Sequence, residues 1–135
     1  MPIITWNDLM STDIEAIDSQ HRVLIAIINK LHDAANDGHE KEVLGNVLKE
    51  LIDYTEWHFA AEEGHMTAHG YPDYEKHKQE HKKLTEQVVD IQRQFEAGRI
   101  EMTFDVMRFL KGWLTNHIID VDKRLGKFLS SKGLA

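Results

Sequence analysis

The sequence predicts an all-α fold: an up-down-up-down antiparallel four-helix bundle with an N-terminal arm. Four long segments repeat apolar residues with the helical period, no segment alternates as a strand would, and turn-forming residues separate the periodic segments. Long amphipathic helices joined by short connections pack as antiparallel neighbours.

Residues 1–17, MPIITWNDLMSTDIEAI, form the arm, with Trp6, Ile14 and Ile17 expected to pack on the bundle. The first helix is expected from about Ser19 to Asn36, with Gly38 placed to end it. The second is expected from about Glu40 to Glu63, closing before Gly64 and the Gly70-Tyr71-Pro72 turn. Asp73 can cap the third, which continues to Gly98, and Thr103 can cap the fourth, which reaches about Phe128. The chain reads as a single domain over 1–135, with the bundle at 18–131. Gly45, Gly112 and Gly126 fall inside helices, where each costs about 1 kcal/mol relative to alanine. Close approach of backbones would account for them.

Composition removes several function classes. A net charge of −7 argues against nucleic acid, which requires a basic footprint. The longest uncharged apolar run, Val23 to Ile28, is too short to span a bilayer, and no secretory signal leads the chain, so the cytoplasm is the expected compartment. The absence of cysteine leaves only nitrogen and oxygen to hold a metal.

Such ligands are crowded together. Residues 57–81, WHFAAEEGHMTAHGYPDYEKHKQEH, contain five of the nine histidines. His58 and Glu62 are spaced i,i+4 on the second helix, as are His77 and His81 on the third, so each pair shares a helix face. In the bundle, the start of helix one lies beside the end of two, the start of three and the end of four. At 1.5 Å per residue, His21, His58, His81 and His117 lie roughly 20–27 Å from the far ends of their helices, so all arrive at one height. His21 shares its stripe with Ile25 and Ile28, and His117 points along the stripe of Leu110, Val121, Leu125 and Phe128. Five buried imidazoles each need a partner, and metal coordination supplies all of them at once. For a carboxylate on helix four, periodicity returns a tie: Asp120 and Asp122 each lie about 100° from the stripe centre.

The segments IDSQH at 17–21, HFAAEE at 58–63, YPDYEKHKQEH at 71–81 and WLTNHIIDVD at 113–122 resemble the hemerythrin family, most closely its single-domain bacterial members. The likeness covers nearly the whole chain, although MSTDIEAID departs from the glycine-containing run common in relatives. It implies two iron ions (Fe2+/Fe3+) with a bridging hydroxide or oxo group. His77, His81 and His117 would hold one iron and His21 and His58 the other, with Glu62 and Asp122 bridging. It also implies reversible O₂ binding for storage, transport or delivery, with Trp113, Leu114 and Ile118 lining the O₂ pocket. The expected partners are O₂ and an oxygen-consuming recipient protein, and the chain is expected to be a monomer. The same site in an enzyme would reduce peroxide or nitric oxide or oxidise iron, and in a sensor it would alter a surface. The remaining histidines fit less well. His32 lies at the wrong height, and His39, His65 and His69 are expected in or beside turns. Glu62 and His65 form one E-x-x-H motif where a ferritin-like site needs two.

Overall fold

The computed structural model describes residues 2–38, 41–99, 101 and 104–134. Helix α1 spans Glu15–Asn36, α2 Lys41–His69 and α3 Tyr74–Glu96. The fourth rod is α4, Phe104–His117, continued through a π-helical turn at Ile118–Asp122 into α5, Lys123–Ser131. Helix α2 packs on both α1 and α3, α1 also meets α4, and the Trp113 N–H of α4 bonds to the Leu84 carbonyl of α3, which gives the expected four-helix bundle.

The rod ends depart from the periodic reading for local reasons. Helix α1 begins four residues early because Asp18 folds the arm back onto its first turn. The Asp18 carboxylate accepts from the Thr12 N–H at 2.8 Å, the Thr12 hydroxyl at 2.7 Å and the Ser11 hydroxyl at 2.8 Å. Asp13 makes the corner with φ 64°, a left-handed conformation that aspartate tolerates better than most residues.

Helix α2 runs straight through Gly64, which the sequence marked as its stop. Met66, two residues on, is fully buried, and its burial holds the last turns helical. The true stop is Gly70 at φ 67°, where the Tyr71 N–H bonds back to the Met66 carbonyl at 2.9 Å. Asp73 occupies the cap position of α3, but its side chain makes no capping bond; its carbonyl accepts from the His77 N–H. The expected cap Thr103, and the expected helix-two start at Glu40, lie outside the described residues.

Two apolar clusters fill the bundle. The larger includes Leu24, Ile28, Leu51, Leu84, Leu110 and Leu114, and the smaller gathers Ile14, Ile17, Met66, Tyr71, Leu125 and Leu129. The arm spans both. Ile4 enters the larger cluster, and the Ile3 and Ile4 amides donate to the Asn29 side chain at 3.0 and 2.9 Å. Trp6 packs on that cluster beneath the Arg22 guanidinium, while Ile14 and Ile17 are buried in the smaller one.

Of the glycines inside helices, Gly45, Gly64, Gly112 and Gly126, only Gly126 is required by packing. A Cβ there would overlap the Thr12 carbonyl oxygen and side chain, so the arm crosses α5 where no side chain intervenes. A Cβ at Gly45 would meet nothing closer than Phe95 at 3.9 Å, and one at Gly112 nothing closer than Asn116 at 3.7 Å. Gly126→Ala should therefore destabilise the protein by about 1–3 kcal/mol despite better helix propensity, whereas Gly45→Ala should stabilise it by about 1 kcal/mol. Urea unfolding of both variants checks the opposite signs.

Candidate metal centre

Between the two apolar clusters lies a polar layer. On α1, His21 falls between Ile17 of the smaller cluster and Leu24 of the larger; on α2, His58 and Glu62 precede Met66. The start of α3 supplies His77 and His81, and the fourth rod supplies His117 and Asp122. All seven are buried, none more than 5% exposed.

They form two groups that share both carboxylates: Glu62, His77, His81, His117 and Asp122 in one, and His21, His58, Glu62 and Asp122 in the other. Each carboxylate sends one oxygen to each side. Glu62 Oε1 lies 3.0 Å from His81 Nε2 and 3.7 Å from His77 Nε2, while Oε2 lies 3.1 Å from His58 Nε2 and 3.3 Å from His21 Nε2. Asp122 Oδ1 is 3.0 Å from His77 Nε2 and 3.1 Å from His117 Nε2, and its Oδ2 is 2.8 Å from His21 Nε2.

These atoms fit a cation better than they fit one another. Two ligands about 2.1 Å from one ion at right angles stand roughly 3.0 Å apart, and all of these contacts but the 3.7 Å one fall between 2.8 and 3.3 Å. His21 Nε2 lies 2.8 Å from Asp122 Oδ2, and among the described residues His58, His81 and His117 Nε2 and both Glu62 oxygens are buried without a hydrogen-bond partner. Their lone pairs converge on the space between them. Among the described residues, a conventional hydrogen bond across the layer joins His77 Nε2 to Asp122 Oδ1.

Asp122 arrives through the π turn. In a regular helix, residues five apart point about 140° away from each other. The i→i+5 pattern widens the turn, so Asp122 comes round beneath His117. Asp120, its rival in the periodic reading, is exposed.

Outer contacts orient the rings. His58 Nδ1 donates to the Gln20 side-chain oxygen at 2.6 Å and His81 Nδ1 to Glu63 at 3.0 Å, which directs both Nε2 atoms inward. Phe59 stacks on the His81 ring at 3.9 Å. Gln20 and Glu63 stood in the quoted motifs, but many carboxylates and amides had an equal claim, and only packing selects these two.

Electrostatics agree with a layer designed to exchange protons for metal. Burial would push the His21 imidazole down, but Asp122 and Glu62 outweigh it and raise its pKa to about 10. His77 rises to about 9 through the same balance. Burial alone would raise Glu62 and Asp122, yet the surrounding histidines hold both well below the usual carboxylate range. Both shifts favour a proton on His21 and on His77, opposite the two carboxylates, when no metal is bound.

The other histidines stay apart. His32 lies beside Asn36 on α1, far along the helix, and His65 and His69 sit on the last turns of α2, which His69 ends beside the Gly70 turn, with His69 Nδ1 on the His65 carbonyl at 2.9 Å. His65 joins neither group among the described residues, and His39 lies outside them. Trp113, Leu114 and Ile118 are buried in the larger cluster next to the layer. The Trp113 N–H is taken by the Leu84 carbonyl at 3.0 Å, and a cleft of about 390 Å³ between α3 and α4 reaches Trp113 and His117 from the surface.

The sequence matches the family described as hemerythrin HHE cation binding domain over residues 12–129. It is 42% identical to a bacteriohemerythrin of Methylococcus capsulatus, over 97% of this chain and 100% of that protein. A Pseudomonas aeruginosa bacteriohemerythrin is 37% identical over 90% of this chain and 78% of its own length. Among solved structures, a wild-type hemerythrin superposes with a TM-score of 0.88 at 41% identity, covering 95% of this chain and 98% of that one.

Three measurements test the layer. Loading metal-free protein with ferrous iron near pH 7.5 should expel at least about two protons per chain, and the number should fall as pH rises through 9 to 10. The same raised pKa values add stability to the metal-free fold that is complete below pH 6.5 and lost as pH climbs through 9 and 10, so its urea midpoint should decline over that window. Gln20→Leu or Glu63→Leu should weaken metal binding about 10- to 100-fold in chelator competition.

Proposed function

The chain belongs to the hemerythrin family, and on that premise we propose that it binds O₂ reversibly at a non-haem di-iron centre, as a carrier rather than a catalyst. The observation that carries this reading is the pair of buried ligand groups joined by two shared carboxylates. We read residues 1–135 as one hemerythrin-like domain, monomeric and cytoplasmic, passing oxygen to an oxygen-consuming protein. No helix among the described residues is long and apolar enough to cross a membrane.

His77, His81 and His117 would hold one iron and His21 and His58 the other, with Glu62 and Asp122 giving an oxygen to each. The three-histidine side would thus offer five protein ligands and the side of His21 and His58 only four, so the open position for a gas would fall on the two-histidine side. Two ferrous ions, two carboxylates and one hydroxide sum to a single positive charge, which a bundle interior tolerates better than a larger excess. When bound, the iron pair supplies the electrons and the open position that hold O₂.

The chain's own side chains supply reversibility. Trp113, Leu114 and Ile118 fill the space beside the imidazoles with apolar bulk and exclude water and acids. The Trp113 N–H is already bonded to Leu84, so the indole offers no proton to the pocket. Glu62 and Asp122 remain ionised and act as acceptors throughout.

Protein reconstituted with ferrous iron should hold two metal atoms per chain and develop a visible charge-transfer band in air that vanishes when oxygen is removed. His21→Ala should abolish that uptake. A band that never reverses, or steady catalytic consumption of oxygen, would identify an enzyme instead.

A further inference from the structure

Thr55 is fully buried on α2, and its hydroxyl has no hydrogen-bond partner among the described residues. Other helical threonines return theirs to the carbonyl four residues back: Thr67 to Glu63, Thr85 to His81 and Thr115 to Lys111. Thr55 makes no such bond to Leu51. An unsatisfied hydroxyl in an apolar interior is costly, and a valine would fill the same shape without that cost.

Its position suggests what it serves. Thr55 precedes His58 by three residues and Phe59 by four, so it shares their face one turn toward the larger apolar cluster. The Phe59 ring touches His58, His81 and His117, so this stretch of α2 borders both ligand groups. One turn from His21 lies Leu24, and one turn from His117 lie Trp113 and Leu114, all buried. In that layer the indole N–H is spent on Leu84, which leaves the Thr55 hydroxyl as the uncommitted donor among these residues. His58 belongs to the two-histidine group, the side assigned the vacancy.

We infer that Thr55 is a ligand-contact residue of the gas pocket, whose hydroxyl donates a hydrogen bond to dioxygen or a small anion admitted beside His58. This rests on the oxygen-binding reading and deepens it. An aliphatic hydroxyl gives a hydrogen bond but keeps its proton at neutral pH, so it steadies an acceptor atom without driving the chemistry onward.

The test uses azide titrated into the oxidised, iron-loaded protein and followed by its visible band, with thermal melting run alongside. Thr55→Val should melt at a higher temperature and bind azide about tenfold more weakly, and Thr55→Ser should restore affinity to nearly the original. Unchanged azide affinity in Thr55→Val, a lower melting temperature, or a serine variant no better than valine would each overturn the inference while leaving oxygen binding intact. If the unaltered protein, holding two irons, takes up neither azide nor O₂, the oxygen-binding reading fails and this inference falls with it.

Discussion

Two carboxylates, Glu62 and Asp122, lie fully buried in the middle of an otherwise apolar bundle, and the arrangement around them follows from that burden. A buried carboxylate is tolerable only when paired and hydrogen-bonded. Here each is faced by histidines on both sides, one oxygen to each group. Without metal the balance is kept by protons on His21 and His77; with metal, the cations take the protons' place.

The layer would be unstable at the end of an open bundle, and the chain closes that end with its arm. Asp18 pins Ser11 and Thr12 over the start of α1, Gly126 lets Thr12 approach α5, and Ile14 and Ile17 join Met66, Tyr71, Leu125 and Leu129. The polar layer is therefore enclosed by apolar packing on both sides. Its ligands gain strength from the low local dielectric. The arm, which contributes no ligand, is as much a part of the centre's environment as the helices that do.

Within the enclosed layer the two sides differ. Three histidines face one group and two the other, His81 leans on a charged acceptor in Glu63, and His58 leans on a neutral one in Gln20. The Thr55 hydroxyl, without a partner among the described residues, stands one turn before His58 on α2. A bundle optimised only for stability would carry a valine there, so the site accepts a local cost where a ligand would be met.

Much of this was legible in the sequence. Helical period and turn residues identified four rods, and i,i+4 spacing with a common height singled out His21, His58, Glu62, His77, His81 and His117, because regular helices convert residue number directly into height and angle. Where the backbone is irregular that conversion fails. Asp122 and Asp120 tied on a regular helix, and the π turn, a property of backbone hydrogen bonding that no side-chain pattern announces, turned Asp122 inward. Gly64 read as a stop, yet burial of Met66 carried α2 onward to Gly70. Gln20, Glu63 and Thr55 acquired roles only once neighbouring helices decided which polar atoms found partners. Periodicity belongs to one chain segment at a time, whereas the pairing of buried polar atoms is settled between segments, and only the packed bundle decides it.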